Sequence, residues 1–174
     1  MGGPNNCHQD VAVNMSISSD YQVGLGFFYA MGRGGLPKDD HEAARLFKLA
    51  ADQGDPGGQD NLGICYVTGR GGLPKDEREA ARLFKLAADQ GNAHGQVNLG
   101  VLYEMGAGGL PKDECEAARL FKLAAEQGNA QAQANLGTFY RDGRGGLPKD
   151  EREADRLFKL AADQGNTDMQ TRQI

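Results

Sequence analysis

The sequence predicts an all-α repeat protein, and three observations carry that prediction. The stretch GRGGLPKD at 32–39 recurs at 69–76 and 143–150 and reads GAGGLPKD at 106–113. Its leucines, Leu36, Leu73, Leu110 and Leu147, stand 37 residues apart each time, and a fixed period of that length marks a stack of supersecondary units. Each stretch is flanked by segments with helix-type start and stop residues. Apart from VAVNMSI at 11–17, no segment sustains the period-two alternation of a strand.

Taken in chain order, residues 1–17 match no repeat; they either cap the stack through Val11, Val13, Met15 and Ile17 or stay disordered. Four repeats follow at 18–54, 55–91, 92–128 and 129–165, each with a first helix (A) and a second helix (B). The A helices open at Ser18, Asp55, Asn92 and Asn129, whose side chains accept a bond from a free N–H of the first turn. Pro56 stands at the first helical position, where its missing N–H does no harm. These helices stop at Gly32, Gly69, Gly106 and Gly143. The B helices open with D-x-x-E, a capping-box pattern, at Asp39/Glu42, Asp76/Glu79, Asp113/Glu116 and Asp150/Glu153, and stop at Gly54, Gly91, Gly128 and Gly165. Residues 166–174 start like a fifth A helix but place Gln173 where the leucine belongs, as a truncated capping helix or a tail does. Asp155, standing where the other repeats have Ala44, Ala81 and Ala118, also suits a terminal repeat facing water.

The glycine-rich stretch could be read as a phosphate cradle. A phosphate loop follows a strand, opens a helix and carries Ser or Thr after its Lys. Here the loop follows a helix, Lys38 is followed by Asp39, and Pro37 interrupts the backbone donors. Four copies at a fixed period describe four equal corners.

Composition narrows the function classes. The chain has 174 residues and a formal charge of −5, without the concentrated basic surface of a nucleic-acid binder. Its apolar runs are too short to span a membrane. The N-terminus lacks the basic start and apolar stretch of a secretory signal. Cys7, Cys65 and Cys115 cannot all pair and show no CxxC spacing, so free thiols and a cytoplasmic location are expected.

The pattern LG-x-x-Y-x-x-G, a Gly-rich turn, then D-x-x-x-A-x-x-x-F-x-x-A-A-x-Q-G resembles the Sel1-like repeat family, a relative of tetratricopeptide repeats. One unit carries it as Leu99, Gly100, Tyr103, Gly106, Asp113, Ala117, Phe121, Ala124, Ala125, Gln127 and Gly128. The resemblance covers roughly 18–165 and implies a right-handed superhelix of antiparallel helix pairs, found in bacterial and other adaptors, that binds proteins and assembles complexes. Cysteine-rich bacterial members pair two cysteines within each repeat, which this chain does not.

The same periodicity sorts the faces. In helix A the core stripe centres on Leu25 with Gln22, Gly26, Phe28 and Tyr29, and their equivalents one to three periods on. Each mid-helix glycine implies a close approach of helix B. In helix B the stripe is Ala43, Leu46, Phe47, Ala50 and Ala51. Cys65 occupies the slot held elsewhere by Phe28, Leu102 and Phe139, as a small core residue would.

The opposite face of helix A, which related folds turn to their concave side, holds the positions that vary most among the repeats. Its candidate partner-binding residues are Val23, Phe27 and Met31; Asp60, Ile64 and Val67; His94, Val97, Val101, Glu104 and Met105; Thr138 and Arg141. The column Phe27, Ile64, Val101, Thr138 runs from apolar to polar, with Glu104 and Arg141 setting charge preference at the polar end. This pattern predicts a groove for an apolar or amphipathic peptide or protein segment; the alternative is that curvature buries these side chains as core. Catalysis is not expected. The serines are Ser16, Ser18 and Ser19, no S-x-x-K occurs, and His8, His41 and His94 lack metal-ligand spacing. A β-lactamase-like or penicillin-binding activity is implied only by the cysteine-rich relatives. The sequence therefore predicts a protein-binding scaffold without cofactor or metal, with no nucleic-acid or membrane partner. Self-association through exposed end repeats is the alternative.

Overall fold

The computed structural model describes residues 18–171, with side chains through residue 164. Eight helices lie among the described residues: α1 Ser19–Met31, α2 Asp40–Asp52, α3 Pro56–Thr68, α4 Glu77–Asp89, α5 Ala93–Met105, α6 Glu114–Glu126, α7 Ala130–Asp142 and α8 Glu151–Thr171. They form an all-α solenoid of 37-residue repeats. The chain divides into two compact units, the first ending at Asp76 and the second starting at Glu77. In the first, α2 packs on α1, and α3 packs on both; in the second, α4 to α8 pack each on the next. Residues 1–17, read from sequence as either a cap or a disordered segment, lie outside the described part.

The end signals act as the sequence predicts. Asp55, Asn92 and Asn129 accept from Gly58, Gly95 and Ala132 N–H at 2.7, 2.8 and 2.9 Å, and Ser18 accepts from Tyr21 at 3.4 Å. Gly32, Gly69, Gly106 and Gly143 end the A helices at φ between 62° and 67°, a region that residues with a Cβ enter at a cost. In helix B only half of the capping box forms. Asp39 accepts from the N–H of His41 and Glu42, both at 3.0 Å. Its own N–H donates to Tyr29 O at 2.9 Å, as those of Asp76, Asp113 and Asp150 donate to Tyr66, Tyr103 and Tyr140. That donor being taken, Glu42, Glu79, Glu116 and Glu153 turn away and receive Arg45, Arg82, Arg119 and Arg156 in two-pronged bonds, the shorter prong at 2.6 Å in each.

The core is built from the two predicted stripes. Leu46 and Phe47 are buried in the first unit; Leu83, Phe84, Leu99, Leu120, Phe121, Leu136, Phe139 and Leu157 are buried in the second. The mid-helix glycines make this possible. A Cβ on Gly26 would lie 2.5 Å from the Phe47 ring, and one on Gly100 would lie 2.7 Å from the Phe121 ring. Helix A is notched so that the phenylalanine of its own helix B can lie against the backbone. The loop is a packed corner. At Gly108, φ is 64°, and a Cβ would stand 2.7 Å from Glu77 O and 2.9 Å from the Ala81 methyl.

An amide pair with its helix A member buried recurs. Gln53 Nε2 donates to Gln22 Oε1 at 2.8 Å, Gln127 to Gln96 at 2.8 Å and Gln164 to Gln133 at 2.9 Å. Burying an amide is tolerable only when it is bonded, and the Gln of A-A-x-Q-G reaches back across its own repeat to do that.

Two features depart from expectation. Phe28 is 47% exposed, whereas its equivalents Cys65, Leu102 and Phe139 are buried. The buried members pack on the preceding repeat, as Phe139 does edge-on against Phe121 at 5.4 Å, and no described helix precedes α1. The stop expected at Gly165 is not used, since α8 stays helical through that residue to Thr171.

Candidate partner-binding face

In the first unit the predicted face forms an apolar surface. Phe27, Met31 and Ile64 are 42%, 56% and 41% exposed. The Phe27 ring leans edge-on against Phe47 with centroids 5.5 Å apart, so one edge anchors it while another faces out. Between α1, α2 and α3 lies a cleft of 260 Å³ walled by Phe27, Ala30, Met31, Phe47, Ile64 and Cys65. Its polar rim is Asp40, Asn61, Thr68 and Arg70. Asn61 and Thr68 are engaged, donating to Gly57 O and Ile64 O at 2.8 Å each. Burial above all, with the Asp40 charge added and Arg70 opposing, raises the Cys65 thiol above its usual range. Cys65 therefore sits there as a neutral, apolar group.

The remaining candidates divide. Asp60 and Val97 are buried, at 4% and 6% exposure, and cannot face a partner. They occupy one register position, two residues after Gly58 and Gly95. Cβ atoms on those glycines would stand 2.6 Å from the Ala50 and Ala87 methyls of the preceding helix. Val97 packs against Ala124 of its own helix B and Ala132 of the next repeat, so the alternative of burial holds at these two sites. Val23 and Val67 are half-buried.

In the second unit Val101 packs against the Phe121–Phe139 core, while Met105 is 67% exposed. Thr138 donates to Ala134 O at 3.2 Å, and exposed His94 lies 3.4 Å from Asn129 Nδ2. The two charges assigned to the polar end are in use: Glu104 pairs with Arg144 at 3.0 Å, and Arg141 pairs with Asp142 at 3.1 Å. Arg141 also lies 5.7 Å from the Phe158 ring centre. The open apolar surface of this face is thus richest in the first unit. Sequence reasoning passed over Asp40 and Arg70 as lining residues; the signal was Cys65, a small residue in a slot that is large elsewhere.

Among the described residues no group of three or more His, Cys, Asp or Glu side chains is placed to hold a metal, and no helix is long and apolar enough to cross a membrane. Cys7 and His8 lie outside the described part.

Helix pairs at a 37-residue period, notched by glycine and cornered by GGLPKD, define an α-solenoid repeat protein. The Sel1 repeat model matches residues 19–55, 56–92, 93–129 and 130–166, and the chain belongs to that family. It is similar to the crystal structure of a Sel1 repeat protein from Oxalobacter formigenes at 34% identity and a TM-score of 0.74, covering 85% of this chain and 59% of that one. It is similar also to c5321, a protective antigen of uropathogenic Escherichia coli with an SLR fold, at 33% identity and a TM-score of 0.75, over 94% of this chain and 34% of that one. The chain thus spans about three fifths of the first of these structures and one third of the second. Among curated proteins no significant sequence match is found. Sel1 repeat proteins generally mediate protein–protein interaction and are of the non-enzymatic scaffold type.

Proposed function

We propose that this chain is a non-enzymatic adaptor that holds a peptide or protein segment against the outward faces of its A helices, with the cleft of the first unit as the principal anchor. One observation carries the reading: Phe27, Met31 and Ile64 stay exposed around an apolar cleft that the repeat's own packing leaves unfilled. Exposed apolar surface around a concavity is where partner side chains gain most from leaving water.

End-to-end stacking of copies is the weaker reading. Tyr21 stands where later repeats have Gly58, Gly95 and Ala132. A Cβ on Gly58 would already come within 2.6 Å of Ala51 N, so a tyrosine ring has no room in that kind of contact.

The test is affinity capture with the wild type beside a Met31→Asp/Ile64→Asp variant, chosen because both side chains are exposed. Val101 is unsuitable, since it supports the core. The expected outcome is a partner retained by the wild type and lost by a variant of unchanged helicity. Identical captures would place binding on another face.

A further inference from the structure

The loop arginine lives in two environments. In the second unit Arg144 is held from three sides. Its Nη2 donates to Glu114 Oε1 at 2.8 Å, its Nη1 meets Glu104 Oε1 at 3.0 Å, and its guanidinium carbon lies 4.5 Å from the centre of the Phe139 ring. Two repeats earlier the same loop position is Arg70, and the three register partners are Asp40, Ala30 and Cys65. Each replacement is shorter or smaller. Arg70 is exposed and has no ion-pair partner among the described residues.

The space left by those truncations is the cleft itself. Ala30, Cys65, Asp40 and Arg70 all line it, and Phe27 and Ile64 complete its apolar wall. Asp40 remains as the shorter counterpart of Glu114. What is missing, compared with the second unit, is a carboxylate at the place of Glu104 and an aromatic ring at the place of Phe139.

We propose that the partner supplies both: the cleft takes a peptide segment in which a glutamate stands beside a phenylalanine. The ring enters beneath the Arg70 guanidinium, and the side-chain carboxylate pairs with it. This rests on the adaptor function proposed above and names the chemistry of the segment bound. The cleft suits one large side chain rather than a whole small molecule, being below the usual range for ligand pockets. Charge-assisted bonding and ring–guanidinium contact are the two interactions that Arg144 already makes within the chain. A bare guanidinium beside an apolar hollow selects for the same pair.

The experiment is a fluorescence titration of the full chain with an acetylated, amidated Gly/Ser heptapeptide carrying a central Glu–Phe pair. The same peptide with Gln–Phe or Glu–Ala serves for comparison. Binding of the Glu–Phe peptide is expected to weaken roughly tenfold or more on Gln substitution or in Arg70→Ala. An Ala30→Glu/Cys65→Phe variant rebuilds the second unit's set inside the first and should abolish binding, while Arg144→Ala leaves it unchanged. Helicity of each variant is checked by circular dichroism; Arg70→Ala breaks no ion pair among the described residues and serves if the double variant does not fold. Equal binding of the Glu–Phe and Gln–Phe peptides, unaffected by Arg70→Ala, overturns the proposal while leaving an apolar adaptor cleft. Absence of binding by every peptide overturns it too, and the Met31→Asp/Ile64→Asp capture then judges the adaptor function separately. Tighter binding of a peptide ending in a free phenylalanine carboxylate overturns the assignment to a side-chain carboxylate.

Discussion

Gly100→Ala puts the logic of the notched helix to a quantitative test. Placing alanine inside α5 raises helix propensity by about 1 kcal/mol. Against this, the new methyl lies 2.7 Å from Phe121 Cε1 and 3.0 Å from Cδ1, where carbon atoms rest at roughly 3.5–4.0 Å. The ring must therefore retreat by about 1 Å. It has nowhere to go: Phe121 is 0% exposed and braced edge-on by Phe139. Overpacking of a full core costs about 1–3 kcal/mol, and a rigid, fully enclosed ring lies at the upper end. The net effect is a loss of about 2 kcal/mol, or a fall in Tm of about 4–8 °C for a chain of this size. Gly24→Ala is the control, since it sits inside α1 with nothing within 4 Å of the added atom. It should stabilise by about 0.5–1 kcal/mol. Thermal denaturation followed at 222 nm reads both. If Gly100→Ala stabilises as much as Gly24→Ala, the glycines are not there to seat the phenylalanines.

Two further outcomes follow from the polar framework. Gln127→Ala leaves the buried Gln96 oxygen without the donor it uses at 2.8 Å and should cost about 1–3 kcal/mol, measured by urea denaturation. On pH, the Arg144 bond first, then Lys112, lowers the Glu114 carboxyl, and the Arg156 bond lowers that of Glu153, each below the usual 4.5. A lowered carboxyl stabilises the fold fully above its unfolded value and loses that contribution as pH falls through the folded one. Tm should therefore hold down to about pH 4.5 and drop below it, less steeply in Arg144→Ala/Arg156→Ala.

Most of the fold was legible because each repeat solves the same packing problem, so one period of sequence states the answer four times. The caps, the leucine and phenylalanine stripes and the notch glycines all recur at 37 residues. What escaped was decided by neighbours. Whether Val97 faces water depends on Ala124 and Ala132, which follow it in the chain and pack over it. Whether Glu104 is available depends on a loop arginine in the next repeat. The capping glutamates were misassigned because the donor they would have served is bonded to a tyrosine carbonyl of the other helix. The cleft emerged from substitutions, Cys65 for a large residue and Ala30 for Glu104, whose joint effect is visible only once the loop arginine is placed beside them.

The central claim is that partners dock on the outward A-helix surface of the first unit. It is tested most directly by photo-crosslinking in cell extract from p-benzoylphenylalanine placed at Ile64, and separately at Leu86. These positions are 41% and 39% exposed, on helices of opposite kind. A discrete crosslinked partner is expected from position 64 and none from position 86. Crosslinks from 86 alone would contradict it.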